Sequence, residues 1–387
     1  MPYLDHAATT PMRPEVIAAM APFARERFGN PSSVHGVGHD AAVALDDARS
    51  RVAAVLGVRA GDVIFTSGGT ESNNLAVKGI SLGARGRRPG HIVTTAVEHQ
   101  SVLGACDHLA RLHGYDVTML EVDPDGAVRA DAIAAALRDD TTLVTLAYAN
   151  NEIGTVQDIA AVSAVTRAAG VPLHLDAVQA AGWLPLTGLG VDALALAGHK
   201  IGAAKGTGVL AVRGRLPLEP LHHGGDQQRG RRGGTVDVAG AVGFATALEA
   251  AERDRVHRAA RVAALRDDFT ARLLMAVPTA RVTGSASHRH PASASFVFPG
   301  ASGEAVLLEL ERRDVITSSG SACAAGSDEA SHVLRAIGLD DDDARTAVRF
   351  TFGHDIADVQ QPAPSLVAAV VEAIASVTGR SATPGRT

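Results

Sequence analysis

Cysteine is scarce: Cys106 and Cys323 are the only two in 387 residues. Two thiols are too few for a disulfide framework or a cysteine-based metal site, which points to a reducing, cytoplasmic compartment. Basic residues are not in excess. Thirty-six Lys and Arg against forty-two Asp and Glu give a net charge of −6, which argues against direct binding of nucleic acid through phosphate contacts. Aromatic residues make up 3% of the chain, so the lone tract QQRGRRGGT lacks the stacking platform of a single-strand binder. No run of about eighteen apolar residues occurs, and the opening MPYLDHAATTP has Asp5 where a signal peptide would be apolar. Neither a membrane span nor a signal peptide is expected. What remains is ordinary for a globular chain, with 46% hydrophobic and 20% charged residues. The length favours a large domain with a smaller one.

Short Val-, Ile- and Leu-rich runs alternate with alanine-rich stretches of helical length. The runs at 62–67, 91–96, 115–121, 143–149, 171–177, 192–197 and 207–213 read as strands. That alternation predicts an α/β fold with a mostly parallel, seven-stranded sheet. The last two runs are too close for a crossover helix, so they should pair differently. From Val238 to Ala276 an apolar period reads as one or two helices leading away from the sheet. ASASFVFPG, AVLLELERR, VRFTFG and a closing helix APSLVAAVVEAIASV then suggest a second, α+β domain. The boundaries read as 15–255 for the large domain, 1–14 with 256–380 for the small one, and 381–387 as a disordered tail.

In open parallel sheets ligands sit beyond the carboxyl ends of the strands, and those positions are polar here. Gly68, Gly69 and Thr70 precede a helix after the first run, a placement that offers backbone N–H groups and a hydroxyl to a phosphate. The stretch is neither a Walker loop nor a dinucleotide fingerprint. Later runs end on Glu98-His99, on Asn150-Asn151-Glu152, on Asp176 with Gln179, and on His199-Lys200. Singly, Thr70 and Asp176 read as helix caps and His99 as a hydrogen-bonded core imidazole. Together they put a phosphate cradle, an imidazole, an amide, a carboxylate and a lysine on one rim.

That inventory suits pyridoxal 5'-phosphate, which needs an amine for its Schiff base and a carboxylate to keep its ring nitrogen protonated. Lys200 and Asp176 meet those needs, His99 can cover the ring, and Asn151 and Gln179 can tune the ring oxygen. An imine nitrogen also removes much of the cost of placing Lys200 between two apolar runs. Lys205 competes for the role but lacks an adjacent histidine. Cys106, in QSVLGACDHLARL, reads as helix packing. His222-His223 and the HRH of 288–290 have no carboxylate or cysteine spacing to complete a metal site.

The stretches YLDHAATTP (3–11), GNPSSVHGVGHDA (29–41), VIFTSGGTESNNLAVKG (63–79), NNEIGTVQDI (150–159), HLDAVQAAG (174–182), AGHKIGAAKGTGVL (197–210) and SSGSACAAGSDEASHVLRAIG (318–338) resemble the cysteine desulfurases. The likeness is to the iron–sulfur-assembly branch, in the class V aminotransferase group. It implies a fold type I, pyridoxal-phosphate-dependent homodimer that converts L-cysteine to L-alanine and passes sulfur, as an enzyme persulfide, to an acceptor protein. By position it makes Lys200 the Schiff-base lysine, Asp176 the ring-nitrogen partner and His99 the stacking and acid–base group. Gly69, Thr70 and His199 fall to the phosphate, with Thr235 supplied by the neighbouring subunit. Asn151 and Gln179 fall on cofactor contacts, Asn151 also on the substrate, and Arg349 on the grip of the substrate carboxylate, which its bidentate fork suits.

Two departures stand out. Ala197 replaces a hydroxyl residue expected at the phosphate, and IGAAKG replaces a stiffer run after the lysine, loosening that turn. Cys323 lies in a Gly/Ser/Ala-rich stretch, 318–331, that reads as a mobile loop able to reach the cofactor and then an acceptor. Selenocysteine lyases or β-eliminating lyases are the nearest alternatives, since they need no persulfide. A catalytically idle platform for sulfur-carrier proteins is the alternative of another class.

Overall fold

A computed structural model describes residues 2–84, 90–214, 216–319, 330–354 and 363–379. Cys323 and the tail 381–387 lie outside the described residues.

All seven expected strands form: β1 (Val63–Thr66), β2 (His91–Thr95), β3 (Asp116–Leu120), β4 (Thr141–Ala147), β5 (Leu173–Asp176), β6 (Ala193–Ala197) and β7 (Gly208–Val212). They make one sheet in the order β1-β7-β6-β5-β4-β2-β3. Pairing is parallel from β6 through β3, while β7 is antiparallel to both β6 and β1. The short β6–β7 connection forces this, because a parallel return needs a crossover of a dozen residues or more. β1 is thereby parallel to β6, and its carboxyl end joins those of β2, β4, β5 and β6 on one rim.

Helices cover both faces. Gln100–His113 buries Val102, Ala105, Cys106 and Leu109, one stripe at helical spacing, and ends on Gly114 with φ +69°. Between β5 and β6, however, residues 177–192 form turns rather than a helix. Pro185 and three glycines with positive φ, Gly182, Gly188 and Gly190, account for this, since each breaks a regular helical path.

The stretch from Val238 splits at Asp254 into Val238–Arg253 and Arg255–Ala276. The first helix does not lead away from the sheet as expected. It packs on the helices Pro14–Arg25 and Gly36–Leu56, burying Phe244, Ala247 and Leu248 in the large core. The second carries the chain to a three-stranded sheet of β8 (Arg281–Val282), β9 (Ser293–Val297) and β10 (Ala347–Thr351), in the order β10-β9-β8. Gly303–Glu311, Ala363–Thr378 and Arg255–Ala276 bury its apolar side around Phe269, Phe296 and Phe350. The start of the chain joins this second sheet: Tyr3 bridges to Ile316, and Asp5 to Thr351.

Candidate active site

A cavity of about 400 Å³ opens at the shared carboxyl rim of the large sheet. Its wall gathers Gly69, Thr70, His99, Asn151, Asp176, Gln179, His199, Lys200 and Arg349, together with Ala197 and two residues not foreseen, Asn73 and Ser101. Thr235 does not line it; that side chain is exposed on its own chain, in the loop before the helix Val238–Arg253.

Gly68 and Gly69 are glycine for different reasons. Gly68 has φ +151°, open only to a residue without a β-carbon, and a Cβ on Gly69 would lie 2.7 Å from a Val178 methyl and 3.3 Å from that of Ala197. The helix Gly69–Gly83 thus begins with its backbone N–H groups turned to the cavity. Lys200 ends the short turn Gly198–Lys200 that follows β6. Its Nζ donates to the main-chain carbonyls of Ala7 and Ala8, the latter at 2.8 Å. Lys205 is exposed in the turn ahead of β7 and takes no part. That turn is not loose: Arg13 clamps it, donating from Nε to the Ile201 carbonyl at 2.9 Å and from its backbone N–H to Gly202 at 3.0 Å.

Asp176, at the end of β5, accepts from the Val178 N–H at 3.0 Å and from Asn73 Nδ2 at 2.7 Å. His99 caps the helix Gln100–His113, its Nδ1 accepting from the Ser101 N–H at 3.1 Å. Burial pushes the His99 pKa down, the charge of Asp176 opposes this, and Lys200 and His332 add to the depression. His199, with Nδ1 3.2 Å from Thr9 Oγ1, is pushed down to about 4 by burial and the nearby lysines. Both rings are therefore neutral at pH 7. Glu98 next to His99 is wholly buried and raised to about 8, so it keeps its proton there. Gln179 donates to the Ala7 carbonyl at 3.0 Å.

Arg349 on β10 reaches the cavity from the second sheet. It is 1% exposed, pairs with Asp5 at 2.7 Å and donates to the Asn151 carbonyl at 2.8 Å. Its Nε has no partner among the described residues, a buried donor at the cavity wall. Two described residues that flank the stretch 320–329, Ser318 and His332, are held beside this site. Ser318 exchanges backbone hydrogen bonds with Arg349, and His332 bonds through Nε2 to the Glu98 carbonyl at 3.0 Å. Cys106 is inert packing, 2% exposed and pushed up to about 12 by burial, with Glu98 adding to the shift. No cluster of three or more potential metal ligands occurs among the described residues, and no helix among them is long and apolar enough to cross a membrane.

Asp5, Asn73 and Ser101 escaped the reading of the sequence. Asn73 had a signal, since three residues after Thr70 is the same face of a helix. Asp5 had none, because its partner is in β10.

Comparison with known proteins gives the family and the fold. The model of the family described as "Aminotransferase class-V" matches residues 2–360. An IscS-like cysteine desulfurase of Mycobacterium tuberculosis is 44% identical over 382 residues, 96% of this chain and 97% of its own. A solved NifS-like protein superposes with a TM-score of 0.87 at 32% identity, covering 95% of this chain and 99% of that one. The solved structure of SspA in complex with cysteine gives 0.80 at 33%, covering 91% and 99%. With its match spanning nearly every element of both sheets, the chain belongs to the class V aminotransferases and, within them, to the pyridoxal-phosphate-dependent cysteine desulfurases.

Proposed function

We propose that the chain works as a homodimer that converts L-cysteine to L-alanine, takes the sulfur on Cys323 as a persulfide and delivers it to an acceptor protein in iron–sulfur-cluster assembly. In this reading 15–255 is the cofactor-binding domain, and 1–14 with 256–380 the smaller one. The observation that carries it is the convergence of Lys200, Asp176 and His99 with the glycine-led helix start at Gly69 on a single cavity.

The residues fit pyridoxal phosphate. The start of the helix Gly69–Gly83, which lines the cavity with Gly69 and Thr70 and has His199 beside it, offers free backbone N–H groups that suit a phosphate. Asp176 is held by two donors and lines the cavity, where its carboxylate would pair with a protonated ring nitrogen. When bound, the cofactor supplies an electron sink that lets bonds at the substrate's α- and β-carbons break. Lys200 offers the amine that anchors it and afterwards a base for the α-proton. The Nε–H of Arg349, without a partner among the described residues, belongs to a guanidinium already oriented by Asp5 and Asn151 and provides a ready donor for the substrate carboxylate. Thr235, exposed on its own chain, is available to a partner's phosphate site. The tethering of residues 318 and 332 at the cavity supports delivery of the Cys323 thiolate to the substrate sulfur.

Borohydride reduction followed by peptide mapping tests the site; the adduct is expected on Lys200, and an adduct elsewhere overturns the reading. Cys323→Ser tests the chemistry. A desulfurase keeps its cofactor absorbance and loses sulfide release and persulfide labelling, whereas a lyase loses little.

A further inference from the structure

We propose that Ser101 is a positioning residue that locks His99 as the neutral tautomer with its proton on Nε2, through a directed chain of hydrogen bonds beginning at Asp176. The inference rests on the reading of His99 as a group at the reactive site.

The chain is read from one end. Asn73 is 1% exposed, and its Nδ2 lies 2.7 Å from Asp176 Oδ2 and 2.9 Å from Ser101 Oγ, so its two amide hydrogens are both committed. The amide cannot be reversed, because Oδ1 would then face a carboxylate oxygen; as it stands, Oδ1 has no partner among the described residues. Ser101 Oγ therefore accepts from Asn73, and its single proton is left for its other neighbour, His99 Nδ1 at 2.8 Å. The same Nδ1 accepts the Ser101 backbone N–H at 3.1 Å, an arrangement imposed by the helix cap. Two donors converge on one ring nitrogen. That nitrogen must present its lone pair, and the ring proton resides on Nε2.

The consequence is a division of labour. Protonating Nδ1 would break the bond from the Ser101 N–H and force the Ser101 hydroxyl to reverse its direction, so the resting ring resists becoming an imidazolium. With Nε2 already protonated, the ring meets the cavity as a hydrogen-bond donor and not as a base. The Lys200 amine is left as the proton acceptor. The charged and titratable groups acting on His99 are Asp176, which favours the imidazolium, and Lys200 and His332, which oppose it. Asp176 thus acts on His99 twice, directly through its charge and indirectly through Asn73 and Ser101.

The test is nitrogen NMR on the full chain, with and without cofactor, labelled at the histidine ring nitrogens and assigned by the signal missing from His99→Gln. The expected result is an unprotonated Nδ1 and a protonated Nε2 on His99 at pH 7.5. In Ser101→Ala the His99 pKa should rise by roughly 0.5–1 unit, the worth of one hydrogen bond to the neutral form, and the Nδ1–H tautomer should appear. Ser101→Thr, which keeps the hydroxyl, should restore the wild-type signals. A wild-type ring protonated on Nδ1 overturns the proposal, as does Ser101→Ala titrating like wild type. So does a shift in the buried rings of His174 and His290 alongside His99, which would mark a general loosening. Because the tautomer is also read without cofactor, failure here is distinguishable from failure of borohydride trapping at Lys200.

Discussion

The two sheets build their cores from different materials. Around the seven-stranded sheet the buried residues are chiefly Val, Ile, Leu and Ala, while five of the nine phenylalanines, at 269, 296, 298, 350 and 352, crowd the three-stranded one. A parallel sheet covered on both faces buries its strands twice, and small or β-branched side chains suffice to fill it. Three short strands have little area to bury, so large rings in edge-to-face contact, such as Phe269 and Phe350 with centroids 5.1 Å apart, make up the difference. The scarcity of aromatics is thus local, and the active site lies where the two materials meet. The larger side contributes Lys200, Asp176 and His99, and the smaller contributes Arg349.

If the larger side holds the chemistry, Lys200→Ala should lower alanine formation by roughly 10³-fold or more while the melting temperature changes little. Assay and calorimetry on one preparation check both. Phe269→Ala should do the reverse. It removes a ring 1% exposed and should cost about 3–5 kcal/mol in urea unfolding, with the borohydride adduct at Lys200 retained; equal loss of both would show the two cores to be one cooperative unit. Arg349→Gln, at the join, should raise KM for cysteine roughly 10- to 100-fold with a smaller change in kcat.

Both sides should share an acid sensitivity. Burial holds His174, in the large sheet, at about 3, and His290, against the second core, at about 4. Unfolded, both return to about 6.5, so below that pH the unfolded chain binds protons that the native one refuses. Stability should therefore fall as pH drops from 6.5 towards 4, by up to about 1.4 kcal/mol per pH unit for each ring. Urea midpoints across that range measure it, and His290→Gln should remove one ring's share of the slope.

Much of this was legible in the sequence wherever the information is local. Each of the seven strands is a short apolar run, and the groups that follow them, from Thr70 to Lys200, could be placed on one rim by the rule for parallel sheets alone. What could not be read depends on distant residues. The clamp of Arg13 on the turn after Lys200 makes a glycine- and alanine-rich run rigid, although its composition suggests the opposite. The helix Val238–Arg253 has an apolar stripe that suits either core, and only packing chooses. Arg349 was found through resemblance, but its pairing with Asp5 spans nearly the whole chain and leaves no trace in spacing.

The bridges from Tyr3 to Ile316 and from Asp5 to Thr351 have a consequence for biosynthesis. Residues 3 and 5 wait for the synthesis of residues 316 and 351 before they find these partners, on the order of tens of seconds at ordinary translation speeds. Until then the segment leading to the Ala7 and Ala8 carbonyls that receive the lysine is held only from the large-sheet side, through Gln179 and Thr10. A nascent chain short of residue 351 consequently lacks the strand that ties the segment before its vitamin-binding pocket to the second sheet.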